Sequence, residues 1–270
     1  MTVKARRAPL PLPGVLVAAT TLAGLLAWPF SMARMSGMDM GPGTPLGGAL
    51  PYAVTWVLMM TAMMLPSAAP LVLSYARVAH HRVSPARAGA LTMMCVAGYL
   101  GAWLAFGMIA WLVDALARAH AATALRWEAQ GRLIVALTLV SVGVYQLTPA
   151  KSACLRRCRS PLTAIMRGFS SRPVGVLRLG ATNGAWCIGC CAGLMIVLFA
   201  LGVMSVPWMA VLSAAIAAEK LLLGTRGARI LASLLIIGGL TVALWPSLLA
   251  PARSGHPAGM APMMRMTGAG

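Results

Sequence analysis

Two clusters of sulfur carry the chemistry legible in this chain. The first is Met59-Met60-Thr61-Ala62-Met63-Met64-Leu65-Pro66. On a helix, residues four apart share a face, so Met59 stacks on Met63 and Met60 on Met64. The two pairs lie about 100° apart around the axis and make one thioether-rich face. Pro66 removes a backbone hydrogen bond just below that face, and a kink is expected there. The second cluster is Cys187-Ile188-Gly189-Cys190-Cys191. Here Cys187 and Cys191 share a helical face, Cys190 sits beside them, and Met195 continues the stripe one turn on. Thioethers and thiolates are soft ligands that select Cu(I) over hard cations, and thiolate is the stronger of the two. A lone methionine or cysteine is ordinary apolar packing. For four Met in six residues, packing and metal both stay open, while three Cys in five favour metal.

A further pair, Cys154 and Cys158, stands four apart in Cys154-Leu155-Arg156-Arg157-Cys158. Its arginine neighbours favour the thiolate, so it is a candidate exit or sensor site for metal. The competing reading is a basic segment lying on anionic lipid with incidental cysteines. Glu219, followed by Lys220, is the acidic residue that falls inside an apolar run. An intramembrane carboxylate is costly and usually functional. Glu219 is therefore a candidate ion or proton partner. Neighbours in sequence do not face each other on a helix, so its partner is expected elsewhere, such as an arginine of a nearby loop, while Lys220 snorkels to the interface.

These residues must be positioned by helices in a membrane. The chain has 270 residues, of which 60% are hydrophobic and 10% charged. That composition describes an all-α, polytopic integral membrane bundle and one membrane domain. Seven spans are expected, at about 12–30, 53–75, 89–113, 133–147, 179–203, 206–223 and 230–249. The first could alternatively be a cleaved signal peptide, given Ser31-Met32-Ala33, but its length favours a retained helix. Segments 31–50 and 250–270 are rich in Met, Gly and Pro, and 151–178 is a strongly basic loop carrying the Cys154/Cys158 pair.

A formal charge of +18 would suggest nucleic acid in a soluble protein. Here sixteen Lys and Arg fall in the N-terminal tail and the segments 77–87, 151–178 and 220–229, against six elsewhere. This is the positive-inside pattern, and no nucleic-acid partner is expected. It places the N-terminus in the cytoplasm and the C-terminus outside, in what would be a bacterial inner (plasma) membrane. Both Met-rich segments then face outward and Cys154 and Cys158 inward. The four acidic residues, Asp39, Asp114, Glu128 and Glu219, are too few for a hard-cation site. No nucleotide-binding motif is present.

The pattern resembles a bacterial family described as predicted metal-binding integral membrane proteins of unknown function. Met59–Pro66 (MMTAMMLP), Cys154–Pro161 (CLRRCRSP), Gly184–Met195 (GAWCIGCCAGLM) and Phe199–Lys220 carry the resemblance, which covers about residues 50 to 225. In that family a histidine often stands at the position of Asn183 and an aromatic at that of Ala192, so a site using that histidine would be altered here. The Met box also looks like the paired-methionine helix of eukaryotic copper-uptake transporters.

The leading expectation is a membrane Cu(I)-binding protein for transport or delivery, its metal held by Met59, Met60, Met63, Met64, Cys187, Cys190, Cys191, Met195, Cys154 and Cys158. Its partners would be the lipid bilayer, the ion, and a copper chaperone or cuproenzyme. Non-enzymatic handling is favoured over two alternatives. One is a membrane thiol/quinone oxidoreductase using Cys187 and Cys190; the other is a helical scaffold subunit. The Met box and the Cys trio are expected to face each other across the bundle interior.

Overall fold

The computed structural model describes residues 46–121, 127–160, 169–201 and 206–244, with a few isolated positions besides. Apart from isolated positions, the expected first helix lies outside the described residues, as do most of the 31–50 segment and all of 250–270. All described secondary structure is helical. Helix α1 spans Ala49–His80, α2 Pro85–Ala121, α3 Trp127–Gln146, α4 Pro149–Cys158, α5 Pro173–Leu201, α6 Val206–Ala218 and α7 Thr225–Leu244.

Four helical stretches are long and apolar enough to cross a membrane: Ala49–His80, Pro85–Ala117, Pro173–Leu198 and Thr225–Leu244. A fifth is added if Leu133–Gln146 and Pro149–Cys158, bent by 67° where they meet, count as one broken span. Among the described residues the architecture therefore has four or five such helices, where seven spans were expected. The shortfall at α6 is physical. Its 13 residues rise only about 20 Å, against a hydrocarbon core of about 30 Å.

Local chemistry sets the ends. Pro opens α2, α4 and α5, where its missing N–H is unneeded. The hydroxyl of Thr148 caps α4 by accepting from the Lys151 backbone N–H. The stretch expected as a basic loop from residue 151 thus begins as a capped helix. α1 passes unbroken through Pro66 and Pro70 as one 32-residue helix.

After α6 the backbone widens into a π-helical turn, Glu219–Leu223. The Gly224 N–H closes it on the Glu219 carbonyl at 2.8 Å. Gly224 then takes φ +59, a left-handed value that glycine adopts without strain, and releases the chain into α7. What was expected as one helix over 206–223 is therefore a short α-helix ended by a wide turn.

The helices pack through small residues. Gly98 of α2 rests on the Leu177 carbonyl of α5, and Gly180 of α5 on the Cys95 carbonyl of α2, so tightly that a Cβ at either would collide with backbone. This is the close approach expected of small residues between membrane helices, where apolar side chains gain little by leaving lipid for each other. α2 also packs against α1, where the Trp56 Nε1–H donates to the Trp103 carbonyl at 2.8 Å. α3 pairs with α7, and α6 touches both α1 and α5. Apolar side chains such as Met93, Ile109 and Leu112 of α2 and Ile230, Leu234 and Ile237 of α7 face outward, as lipid-facing surfaces do.

Candidate metal centre

Cys187, Cys190 and Cys191 lie on the inward side of α5, each no more than 2% exposed. Their Sγ atoms all fall within 4.8 Å of one another, with Cys190 and Cys191 at 3.3 Å. An ion bonded to three sulfurs at about 2.3 Å would hold them about 4 Å apart, so small side-chain adjustments suffice to close a three-sulfur site. All described cysteines are free.

The trio sits in an apolar core into which other elements send polar groups. The Lys220 Nζ donates to the Cys187 Sγ at 2.9 Å and to the Ser67 Oγ at 3.2 Å. It thereby joins the π turn, the trio and the Met-bearing helix α1. The Tyr99 hydroxyl of α2 lies 2.9 Å from the same Cys187 sulfur. From α4, the buried Lys151 ammonium donates to the Cys190 carbonyl and lies 2.9 Å from Glu219 Oε1. The second contact is an ion pair but is off the line a hydrogen bond needs. The Arg159 Nη1 donates to the Glu219 backbone carbonyl at 3.0 Å, in the space left by the missing side chain of Gly224. Tyr145 of α3 donates to the Gly189 carbonyl. Two cations and one carboxylate are therefore buried beside three thiols. Such a group is costly to hold in a bundle interior unless it compensates charge there.

Met59, Met60, Met63 and Met64 are all buried, at 2% exposure or less, and Met195 is buried likewise. They share one continuous core with the trio, and Cys154 and Cys158 pack against it half-buried. Neither sulfur face is turned to the outside. α2 and α6 each pack against both α1 and α5, and the direct polar link between the Met helix and the trio is Lys220. Cys95 belongs to a separate core with Leu71 and Tyr75. Asn183 donates to the Leu179 carbonyl of its own helix at 2.9 Å.

Glu219 finds its partner in Lys151, and the expected arginine reaches its backbone carbonyl instead of its carboxylate. Lys220 does not snorkel outward. Sequence reasoning missed Lys151, Lys220 and Tyr99. For Lys220 the signal was its place inside an apolar run; for Lys151 it was the Thr-Pro helix start two residues earlier.

Fold and site together define an all-helical bundle with membrane-length apolar helices and a buried thiol cluster suited to a soft metal. A family model, PpoB2, described as a copper chaperone, matches residues 53–242, well over half of the chain, and the chain belongs to that family. No curated protein and no solved structure matches it.

Proposed function

We propose that this protein is a membrane-embedded Cu(I) carrier that takes up the ion through thioethers, holds it on the thiols of Cys187, Cys190 and Cys191, and delivers it to a copper chaperone or to a cuproenzyme under assembly. The observation that carries the reading is the buried trio, with three sulfurs within 4.8 Å of one another. Membership of a copper chaperone family supports the choice of metal. Met59, Met60, Met63 and Met64 bind more weakly and pass Cu(I) on to the trio, with Met195 as a further ligand. Charge supports it as well. Three thiolates and one Cu(I) leave two net negative charges, one of which the Lys220 ammonium beside Cys187 offsets.

The chain lies in a bacterial inner membrane with its N-terminus in the cytoplasm and its C-terminus outside, as the distribution of Lys and Arg directs. Seven spans satisfy that distribution, with the short α6 and the π turn after it together making the sixth crossing. Thioethers then lie nearer the outer side and thiols nearer the inner, an order of rising Cu(I) affinity toward the cytoplasm. Reporter fusions at residues 154 and 260 read this sidedness, and a cytoplasmic signal at 260 would reverse it.

Metal analysis of the purified, reduced protein tests the function. The expected result is Cu(I) held against a competing chelator by the native chain and released by the Cys187→Ser, Cys190→Ser, Cys191→Ser variant. Equal retention by both proteins would refute the trio as the binding site.

A further inference from the structure

The pair Cys154/Cys158 does not stand apart from the trio. α4 bends away from α3 by 67° and packs against α5, with Leu155 inside. Residues four apart on a helix share a face, and the face bearing both thiols is turned to α5. The Cys154 Sγ sits against Gly189 so closely that a Cβ added there would stand 2.7 Å from the sulfur. The Cys158 Sγ lies 3.7 Å from the Cys190 Sγ. Gly189, between the cysteines of the trio, is therefore the slot that admits the second thiol pair.

Two arginines of this segment are engaged elsewhere. The Arg157 guanidinium lies over the Trp186 ring, 5.0 Å from its centroid, and Arg159 serves the Glu219 carbonyl. Beside the two thiols, the same side of α4 carries the Lys151 ammonium, which donates to the Cys190 carbonyl. The Cys158–Cys190 separation is close to the roughly 4 Å that a three-coordinate ion imposes.

We infer that Cys154, Cys158 and Cys190 form a second Cu(I) site that shares the Cys190 sulfur with the trio, so that one bridging thiolate joins two ions. This deepens the carrier reading and rests on it. A thiolate has lone pairs enough to bind two metals. Binding changes no oxidation state: Cu–S bonds form and the displaced thiol protons pass to water. Cys187, Cys190 and Cys191 are buried while Cys154 and Cys158 are half-buried, so the second site is the one a partner can reach. It is the place of release, one sulfur away from the place of storage.

The test uses the full chain, purified and reduced. It is titrated with Cu(I) against a chelator strong enough to strip thioether-bound copper. The Cys154→Ser, Cys158→Ser variant is expected to hold one Cu(I) fewer than the native protein while retaining the tighter ion. Unchanged stoichiometry and affinity in that variant would overturn the inference. A second measurement needs no variant: in the native chain, Cys154 and Cys158 are expected to become protected from alkylation only as the second equivalent of Cu(I) is added. Ready alkylation of both at full loading would overturn it too. Failure of the carrier reading is distinguishable, because Cys187→Ser, Cys191→Ser, which spares Cys190, would then bind as much copper as the native chain.

Discussion

Replacing Lys220 by Met asks how far a buried ammonium sets the affinity of the thiol trio. The side chain keeps its length and apolar stem and loses its charge. In the structure the ammonium stands 2.9 Å from the Cys187 sulfur. Copper on that sulfur would put the centre of the complex's negative charge about 4 Å away. At an effective dielectric constant of about 20, one unit pair at that distance is worth about 4 kcal/mol. Since about 1.4 kcal/mol is tenfold in affinity, Lys220→Met should weaken Cu(I) binding by roughly a thousandfold at most. Stability should not fall in parallel, because an apolar residue of similar volume in place of a buried charge is often neutral, and Ser67 keeps its bond to the Met64 carbonyl. Competition titration measures the affinity and thermal denaturation in detergent the stability. Lys220→Arg, which keeps the charge, should restore most of the loss. An affinity within about threefold of native for Lys220→Met, or equal weakness in Lys220→Arg, would refute the electrostatic reasoning, since either result removes charge as the cause.

Changing Met59, Met60, Met63 and Met64 together to Leu keeps volume and apolarity at under about 1.5 kcal/mol per swap, so the protein should fold and take up Cu(I) less well; unchanged uptake would reduce the box to packing. Lys151→Met strands the buried Glu219 carboxylate and should cost about 3–5 kcal/mol in stability. Adding Glu219→Gln should return much of that. Equal melting of the single and double variants would show that the ion pair does not tie α4 to the π turn.

What could be read from the sequence was what helical periodicity alone decides. Cys187 and Cys191, or Met60 and Met64, are placed on common faces by spacing, and their burial follows from sitting in long apolar runs. The partners of charged groups follow no such local rule. Lys151 sits among arginines and looked like one more loop cation, yet its partner Glu219 arrives from the end of α6. The Glu219–Lys220 doublet was legible as unusual, but only the π turn decides that the carboxylate meets α4 while the ammonium meets α5. The helix over 149–158 had a visible start in Thr148-Pro149; the arginines after it favoured a solvated loop. Its fold onto α5 depends on Gly189, whose role shows only once Cys154 lies against it.

The bridge from Ser67 through Lys220 to Cys187 also bears on when the site comes into being during synthesis. Chains emerge N-terminus first. Lys220 follows Cys187 by 33 residues and Ser67 by 153. The Met helix and all the thiols are thus made before the ammonium that links them, and Lys151 is made before the carboxylate that pairs with it. A nascent chain ending short of residue 219 has its cysteines but lacks the counter-charges from the π turn. The complete centre, with its full affinity, exists only after the chain beyond α6 has been inserted. On the carrier proposal, copper loading would wait until the chain past residue 220 is made, and a product truncated before it would offer the metal only loosely held sulfur.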